Sequence, residues 1–345
     1  MAPFAGWDMP IQYAGILKEH EQTRKAVSVF DTCHMGEFEF VGPEALHALE
    51  TLLTQRIETL RIGQARYGYL LKEDGGTLDD VICFRLDVER WLLVVNAGTR
   101  VKDAEWVRAH LPKGVLFRDL SDHTGKLDVQ GPDARKAVET AFQCRLPDLN
   151  YFHCCEIELA GAPVLISRTG YTGEFGYELY FPADRAGEFW DRLTQAGGAL
   201  PAGLGARDTL RLEMGYPLYG HELSGETTPA GVARKPFLDL AKPFIGREAV
   251  LREIQSGSGN RLVGLKLPGR RSSRAADSVF QGEKQVGTVT SGSFAPSLGC
   301  AVALASVQPL VATDGTELTI SSAGVQTSAR VVSLPFYAGG TARRT

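Results

Sequence analysis

Two neighbouring carboxylates are the residues of this sequence whose types and spacing most readily suggest chemistry. Asp79 and Asp80 stand in the run GGTLDDVICF. A carboxylate partly withdrawn from water can position an amine, accept its proton or stabilise a developing cation. Because side chains alternate across a strand, we expect at most one of the two to point inward and the other to be solvated. The alternative is a pair of ordinary hairpin-turn aspartates.

A second candidate is the glycine-rich segment RTGYTGEFGYEL, residues 168–179. Its glycines recur at every third position, which breaks a long helix and predicts a shaped loop that leads into a strand at 177–180. Glu178 should share a strand face with Gly176 and Tyr180. Its carboxylate could accept two parallel hydrogen bonds from the N–H edge of a pterin-like or guanine-like ring. The alternative is a hairpin with solvated side chains.

Arg207, in the run GLGARDTLRLE, could bind the carbonyl oxygen of such a ring, or it could pair with Asp208 or Glu213.

The sequence lacks the motifs of other common functional sites. It contains no P-loop, no dinucleotide fingerprint and no GxSxG elbow. The six cysteines show no CxxC spacing and the seven histidines no HExxH pattern, so we expect reduced thiols and no metal.

The elements that must position these residues predict an α+β fold. The strand–GP–helix unit EFEFVGPEALHALETL recurs as KLDVQGPDARKAVETAF at 126–142. This repeat predicts two related halves with a ligand site where they meet. Further strands are predicted at 67–71, 81–86 and 91–95, and helices at 16–27, 102–110 and 183–195. Beyond the loop SGSGN, short apolar alternations predict a small β-barrel or sandwich.

Composition narrows the class of protein. The chain has 345 residues, a formal net charge of −4 and a pI near 6.0, which gives no attraction to nucleic acid or to an anionic membrane. No apolar run is long enough for a spanning helix, and the start MAPFAGWDMP has no signal-peptide pattern. We therefore predict a cytoplasmic protein of two or three domains.

Taken together, ordered segments across nearly the whole chain resemble one family, the aminomethyltransferase or T-protein of the glycine cleavage system and its folate-dependent relatives. The segments that carry the resemblance are FAGWDMPIQY, FDTCHMGEF, GGTLDD, VVNA, QGPDA, RTGYTGEFGYEL, GLGARDTLRLEMGYPLYGHEL, KPFIGRE, TSGSFAPSLG and PFY. The resemblance implies a three-domain cloverleaf: two ferredoxin-like α+β domains and a C-terminal distorted β-barrel, with folate in the central opening. We expect a folate-binding region of two interleaved domains at 1–255, with its N-terminus shortened relative to the family, and the barrel at 260–345.

The resemblance also implies roles for particular residues. Asp80 would be the catalytic residue, beside the reactive N5/N10 edge of tetrahydrofolate, and Glu178 and Arg207 would fix the pterin ring. The remaining folate-binding positions implied are Tyr67, Tyr171, Tyr216, Asn96 and, from the barrel, Tyr337.

The implied reaction needs a partner and a co-substrate but no metal. The lipoylated H-protein would present an aminomethyl group, and tetrahydrofolate would capture its methylene as ammonia leaves. Asp80 would accept the N10 proton and steady the iminium-like charge.

Two alternatives stay open at this point. A folate-dependent demethylase would use the same cradle to accept a methyl group from sulfur or oxygen. The family usually has Val-Ser where this chain has Thr32-Cys33, and the run AGVARKPFLDLAKPF after Pro229 lacks the more usual tryptophan. A non-enzymatic iron–sulphur assembly factor would carry KGCYxGQE where this chain reads KPFIGRE, so it is the weaker alternative.

Overall fold

The computed structural model describes residues 1–232 and 237–344. Four residues of the run AGVARKPF, 233–236, and the last residue of the predicted barrel domain, 345, lie outside the described residues. In chain order the helices and strands are β1 (Ala2–Phe4), β2 (Trp7–Met9), α1 (Ile16–Lys25), β3 (Ser28–Asp31), β4 (Gly36–Val41), α2 (Ala45–Leu52), β5 (Gln64–Leu71), β6 (Thr77–Arg85), β7 (Arg90–Val95), α3 (Arg100–His110), β8 (Leu116–Asp119), β9 (Thr124–Gln130), α4 (Ala134–Phe142), β10 (Cys154–Leu159), β11 (Ala162–Ser167), β12 (Gly176–Pro182), α5 (Ala186–Thr194), β13 (Leu200–Pro201), α6 (Leu204–Glu213), α7 (Arg247–Ser256), β14 (Arg261–Lys266), β15 (Ser278–Gln281), β16 (Lys284–Ala295), β17 (Cys300–Val307), β18 (Glu317–Ser322) and β19 (Val325–Val332).

The first sheet is antiparallel and has the strand order β5-β6-β7-β4-β8. Helices α2 and α3 cover one of its faces. Phe38 and Phe40 from β4 and Leu49 from α2 are all completely buried in the shared core. The alternation of apolar residues along EFEFV thus places its phenylalanines under the helices, as the strand period requires.

The second sheet has the order β10-β11-β12-β9-β3-β13. Its strand β3 precedes the whole first sheet in the chain, so the two α+β halves are interleaved. β3 pairs antiparallel with β9 and parallel with β13. β9 also pairs with β12, in a register that sets Asp128 opposite Glu178. Two polar residues of the candidate site are therefore neighbours on one sheet.

The predicted repeat is confirmed at the turn that follows each copy of the strand. Gly42 and Gly131 have φ values of 128° and 132°. A Cβ at Gly131 would lie 2.2 Å from the Ala26 carbonyl oxygen, and one at Gly42 would lie 2.7 Å from that of Gly114. Each turn therefore requires glycine for two reasons: its backbone has a positive φ, and there is no space for a Cβ.

The C-terminal part forms a closed six-stranded barrel in the order β14-β17-β16-β15-β18-β19. Its barrel form agrees with the prediction, and strands β14 and β15 belong to it in addition to the alternations found in the sequence. Leu212 of α6 packs against Ala295, Val302 and Leu304 of the barrel. Helix α7 ends at Ser256 and β14 begins at Arg261. The division into domains at 1–255 and 260–345 stays a prediction.

Among the residues that the structure describes, no helix has the length and apolar character needed to cross a membrane.

Candidate active site

Asp80 lies on β6 and is held by donors from both neighbouring strands. The Tyr67 hydroxyl on β5 donates to Asp80 Oδ2 at 2.9 Å, and the side-chain amide of Asn96, which follows β7, donates to Oδ1 at 2.9 Å. Burial, and after it the charge of Asp79, raises the pKa of Asp80 to about 7. Near neutral pH this carboxyl can both accept and release a proton, which suits a general base.

The expectation that one of the two aspartates is solvated is wrong for Asp79. Asp79 is completely buried, and its two carboxylate oxygens accept hydrogen bonds from the backbone N–H and the side-chain amide of Asn96, both at 2.8 Å. The physical reason is that α3 covers this face of the sheet, so the side chain enters a helix–sheet interface. The hairpin-turn alternative is also wrong, because both aspartates lie within β6.

Glu178 points into a buried polar cluster on the second sheet. Lys126 Nζ on β9 donates to Glu178 Oε1 at 2.7 Å and to Asp128 Oδ1 at 2.5 Å. The Thr169 hydroxyl donates to the other oxygen of Glu178, and the Tyr180 hydroxyl lies 3.4 Å from it. Glu178 and Tyr180 share a face, as the strand period predicts, so the alternative of solvated side chains is wrong for this segment.

Arg207 joins the same cluster from α6. Its Nη1 donates to Asp128 Oδ2 at 2.9 Å, and its guanidinium carbon lies 5.0 Å from the centre of the Tyr171 ring. The two partners left open by the sequence, Asp208 and Glu213, are engaged elsewhere: Asp208 pairs with Arg211. The guanidinium therefore combines a fixed carboxylate contact with an aromatic face.

Two tyrosines form a stacked pair beside this cluster. The rings of Tyr171 and Tyr216 lie 5.8 Å apart at an angle of 26°. The Tyr171 hydroxyl donates to the Pro217 carbonyl, which fixes the ring. Burial, opposed by Arg211 and then assisted by the charge of Asp80, raises the pKa of Tyr171. Tyr171 is therefore close enough to both Asp80 and Arg207 for their charges to act on its pKa. It lies between Asp80 on the first sheet and the Glu178 cluster on the second.

The loop that carries Tyr171 is held by buried charges on both sides. Arg168 donates to the carbonyls of Gly176 and Ala342, each at 3.0 Å. Glu174 accepts the backbone N–H of Thr341 at 3.1 Å and also the hydroxyl of that residue. The loop is therefore tied to the chain beyond the barrel.

Arg24 of α1 holds this loop from the other side. It donates to Glu174 at 2.9 Å, to the Thr172 carbonyl at 2.6 Å and to Glu213 at 2.9 Å. Tyr337 lies against the same group: its ring centre is 4.3 Å from the Arg24 guanidinium carbon, and its N–H donates to the Glu213 carbonyl. The structure thus places Tyr337 with these ion pairs, and a role in folate binding stays a prediction.

His34, in the run FDTCHMGEF, lies beside the charges of the Glu178 cluster without a partner for its Nδ1 among the described residues. Its ring is buried and meets Phe4 edge-on at 5.3 Å. Burial, and then the charges of Arg207 and Lys126, lower the pKa of His34 to about 3. The imidazole is therefore neutral near neutral pH.

The arrangement fits a flat heterocycle with a polar edge. Glu178 supplies carboxylate acceptors, Arg207 supplies donors, and Tyr171 and Tyr216 supply aromatic faces, while Asp80 faces the same region from the other sheet. These are the donor and acceptor types that the edge of a pterin ring needs. The described residues contain no group of three or more acidic, histidine or cysteine side chains placed to hold a metal ion.

Sequence reasoning missed Lys126 and Asp128. A signal for them was present, because KLDVQ alternates polar and apolar residues and all three polar ones are buried. It also missed the group around Arg24 and Glu174, whose members are about 150 positions apart in the chain. No local pattern could have joined those residues.

Comparisons with known proteins cover nearly the whole chain. A model of the GCVT N-terminal domain matches residues 1–242, and a model of the glycine cleavage T-protein C-terminal barrel domain matches residues 260–338. A protein of Synechococcus elongatus named aminomethyltransferase is 42% identical over 99% of this chain and 93% of its own length. One of Shouchella clausii with the same name is 42% identical over 97% of this chain and 93% of its own.

Among solved structures, the glycine cleavage system aminomethyltransferase T of Bartonella henselae superposes with a TM-score of 0.91. It is 34% identical, and the match covers 99% of this chain and 94% of that one. These similarities do not favour the demethylase or the iron–sulphur alternative.

Proposed function

The chain belongs to the glycine cleavage T-protein family and is an aminomethyltransferase; on that premise we propose that the lipoylated H-protein supplies its aminomethyl group and that tetrahydrofolate accepts the methylene as ammonia leaves. Tetrahydrofolate is the co-substrate of the family. The finer proposal concerns the residues of this chain that hold it and the residue that moves the proton.

We propose that the pterin ring lies between the two sheets. Glu178 accepts hydrogen bonds from its N–H edge, and Arg207 donates to its carbonyl oxygen. Tyr171 and Tyr216 pack against its face or against the p-aminobenzoyl portion. When bound, tetrahydrofolate supplies the nitrogen nucleophiles of the reaction. The task of the chain is then to bind the ring, to orient it towards Asp80 and to exclude water.

Asp80 is the residue that we propose to accept the proton released from the folate nitrogen. The observation that carries this role is its setting: a half-buried carboxyl with a pKa of about 7, aligned by Tyr67 and Asn96 and facing the aromatic wall of the proposed folate site. A base whose pKa lies near the working pH combines a usable anionic fraction with adequate proton affinity.

The test is the substitution Asp80→Asn, assayed with tetrahydrofolate and aminomethyl-loaded H-protein. Ammonia release and formation of methylenetetrahydrofolate should fall by about 10²–10⁴ in kcat, because a general base is lost. The Kd for tetrahydrofolate, measured by calorimetry, should stay close to that of the unmodified protein, since Asn retains the shape and one acceptor. Asp87→Asn, an exposed residue after the same strand, is the matched control and should change neither quantity.

Normal turnover by Asp80→Asn with normal folate binding would show that Asp80 is not the base. Methyl transfer from a sulfonium or a methyl ether, without ammonia release from H-protein, would show that the proposed donor is wrong. The cytoplasmic location and the reaction without a metal also stay predictions; retained activity after dialysis against a chelator is the expected outcome for the second.

A further inference from the structure

A third carboxyl lies behind the Asp79–Asp80 pair. Asp103 on α3 is completely buried, and neither of its carboxylate oxygens has a hydrogen-bond partner among the described residues. Its side chain lies beside those of Asp79 and Thr99. On the other side of Asp79, the Asn96 amide nitrogen donates to Asp79 at 2.8 Å and to Asp80 at 2.9 Å. Asp103, Asp79, Asn96 and Asp80 therefore form a continuous chain from beneath α3 to the proposed catalytic carboxyl.

The hydrogen-bond donors decide which carboxyl of this chain holds a proton. Two facing carboxyls need a proton between them, because both are acceptors when ionised. Asp79 accepts N–H bonds at both oxygens. Neither oxygen of Asp103 has a hydrogen-bond partner among the described residues. The Thr99 hydroxyl lies near both carboxyls and lowers the pKa of each, but it donates to the Asn96 carbonyl at 2.9 Å, so it does not distinguish them. Asp79 is thus the better stabilised anion, and the proton belongs on Asp103.

We infer that protonated Asp103 donates to Asp79, and that the Asp79 anion held in this way sets the protonation of Asp80 through Asn96. Asp103 and Asp79 are positioning residues in this scheme, since neither reaches the proposed folate site. The inference deepens the proposed function, because it rests on Asp80 as the base of the reaction.

The pKa directions are consistent with this geometry. Burial, and then the charge of Asp79, raise the pKa of Asp103 to about 10, so this carboxyl stays protonated at neutral pH. Burial likewise raises the pKa of Asp79, while the two Asn96 donors and Asp103 oppose the rise. Asp79 is in turn the second cause, after burial, of the raised pKa of Asp80.

Other groups face this chain of carboxyls from each neighbouring element. On β5 the Tyr67 hydroxyl donates to Asp80 and lowers its pKa. From the loop before β12, Tyr171 lies within the field of Asp80. On α3 the Lys102 charge acts on Asp103 and opposes its protonation. The tyrosines are neutral near pH 7, so the Asp79 charge is the group whose removal should move the Asp80 titration most.

The first test compares three variants by single-turnover transfer as a function of pH. Asp79→Asn removes the charge and should move the acid limb of the profile down by about one to two pH units. Asp103→Asn retains an N–H donor to Asp79 and should leave the limb in place. Asp103→Leu removes that donor, so Asp79 takes up the proton, and the limb should move down as in Asp79→Asn. A merely structural role would lower activity in both Asp103 variants without separating their pH limbs.

A second measurement does not depend on activity or on the leucine variant. In protein labelled with ¹³C at aspartate carboxyls, one signal should remain protonated at pH 8 and be absent in Asp103→Asn. A second signal should titrate near pH 7, be absent in Asp80→Asn, and titrate lower in Asp79→Asn. A titration of Asp103 in the ordinary acidic range, or an unchanged Asp80 titration in Asp79→Asn, would overturn the inference.

The two proposals fail in different ways. If Asp80→Asn keeps full activity, the base of the reaction is another group, while the carboxyl titrations still report on Asp103 and Asp79. If Asp80→Asn is inactive, but Asp80 and Asp103 of the unmodified protein titrate in the usual acidic range of aspartate, the proposed function stands and the inference fails.

Discussion

Lys126→Met tests whether the buried charges of the Glu178 cluster stabilise one another. Lys126 is completely buried, and its Nζ binds both Asp128 and Glu178. Without it, Asp128 retains Arg207 and the Thr32 hydroxyl, whereas among the described residues Glu178 retains the Thr169 and Tyr180 hydroxyls. Removal of one partner from a buried ion pair costs about 3–5 kcal/mol, because the other charge is left uncompensated. We expect a loss of that size in the free energy of unfolding at pH 7.

The loss should depend on pH in a definite direction. Burial alone would raise the pKa of Asp128, but the charges of Lys126 and Arg207 outweigh burial and lower this pKa to about 2. An aspartate in the unfolded chain titrates near 3.9. Its folded pKa is thus the lower one, so Asp128 stabilises the fold above about pH 4 and this stability is lost as pH falls towards 2. The variant raises the folded pKa, and its deficit should shrink over the same range.

The assay is urea unfolding at pH 7 and at pH 3, followed by tryptophan fluorescence. Trp190, on α5, packs against the core of the second sheet and reports on it. Lys25→Met, the same substitution at a side chain that is 72% exposed, is the matched control and should lose little. Lys126→Met/Glu178→Gln should recover part of the loss, because the orphaned carboxylate is neutralised. A deficit equal to that of Lys25→Met, or one that grows from pH 7 to pH 3, would refute the reasoning.

Two further predictions concern the site itself. Tyr67→Phe removes the hydroxyl that lowers the pKa of Asp80, so the acid limb of the pH–rate profile should move up by about half to one unit; an unchanged limb would contradict the assignment. Arg207→Lys keeps the charge but loses the planar group that binds Asp128 and faces Tyr171. Calorimetry should show the Kd for tetrahydrofolate raised about tenfold, with kcat at saturating folate little changed; equal affinity would leave Arg207 without the proposed role.

The sequence predicted the local features of the fold well, because each rests on neighbouring residues. The two GP turns require glycine at 42 and 131, and the apolar alternation of β4 sets Phe38 and Phe40 under the helices. The same logic placed Glu178 on one face with Tyr180. It predicted the interleaved sheets only through resemblance, since no local pattern shows that β3 joins β9.

The sequence could not show which distant residues contact the side chains of the site. Glu178 is bound by Lys126, 52 positions earlier, and Asp79 is buried because α3 folds over its face of the sheet. Alternation on a strand predicts opposite directions for two neighbouring aspartates, but it does not say what covers each face. The expectation that one of the two carboxyls is solvated therefore failed for Asp79 on tertiary packing. The choice of Asp80 as the residue of the site came from the resemblance, because alternation alone does not distinguish the two aspartates.

The ties between the glycine-rich loop and the end of the described chain set an order for assembly during synthesis. Besides Arg24, Glu174 takes donors from Thr341, 167 positions later, and besides the Gly176 carbonyl, Arg168 takes an acceptor from Ala342, 174 positions later. A nascent chain that has just released the loop from the ribosome thus carries two charged side chains that each lack part of their final set of partners, and translation at about 5–20 residues per second delays those partners by roughly 8–35 seconds. The loop that bears Tyr171 can therefore complete its contacts only after the barrel and the segment that follows it have been made.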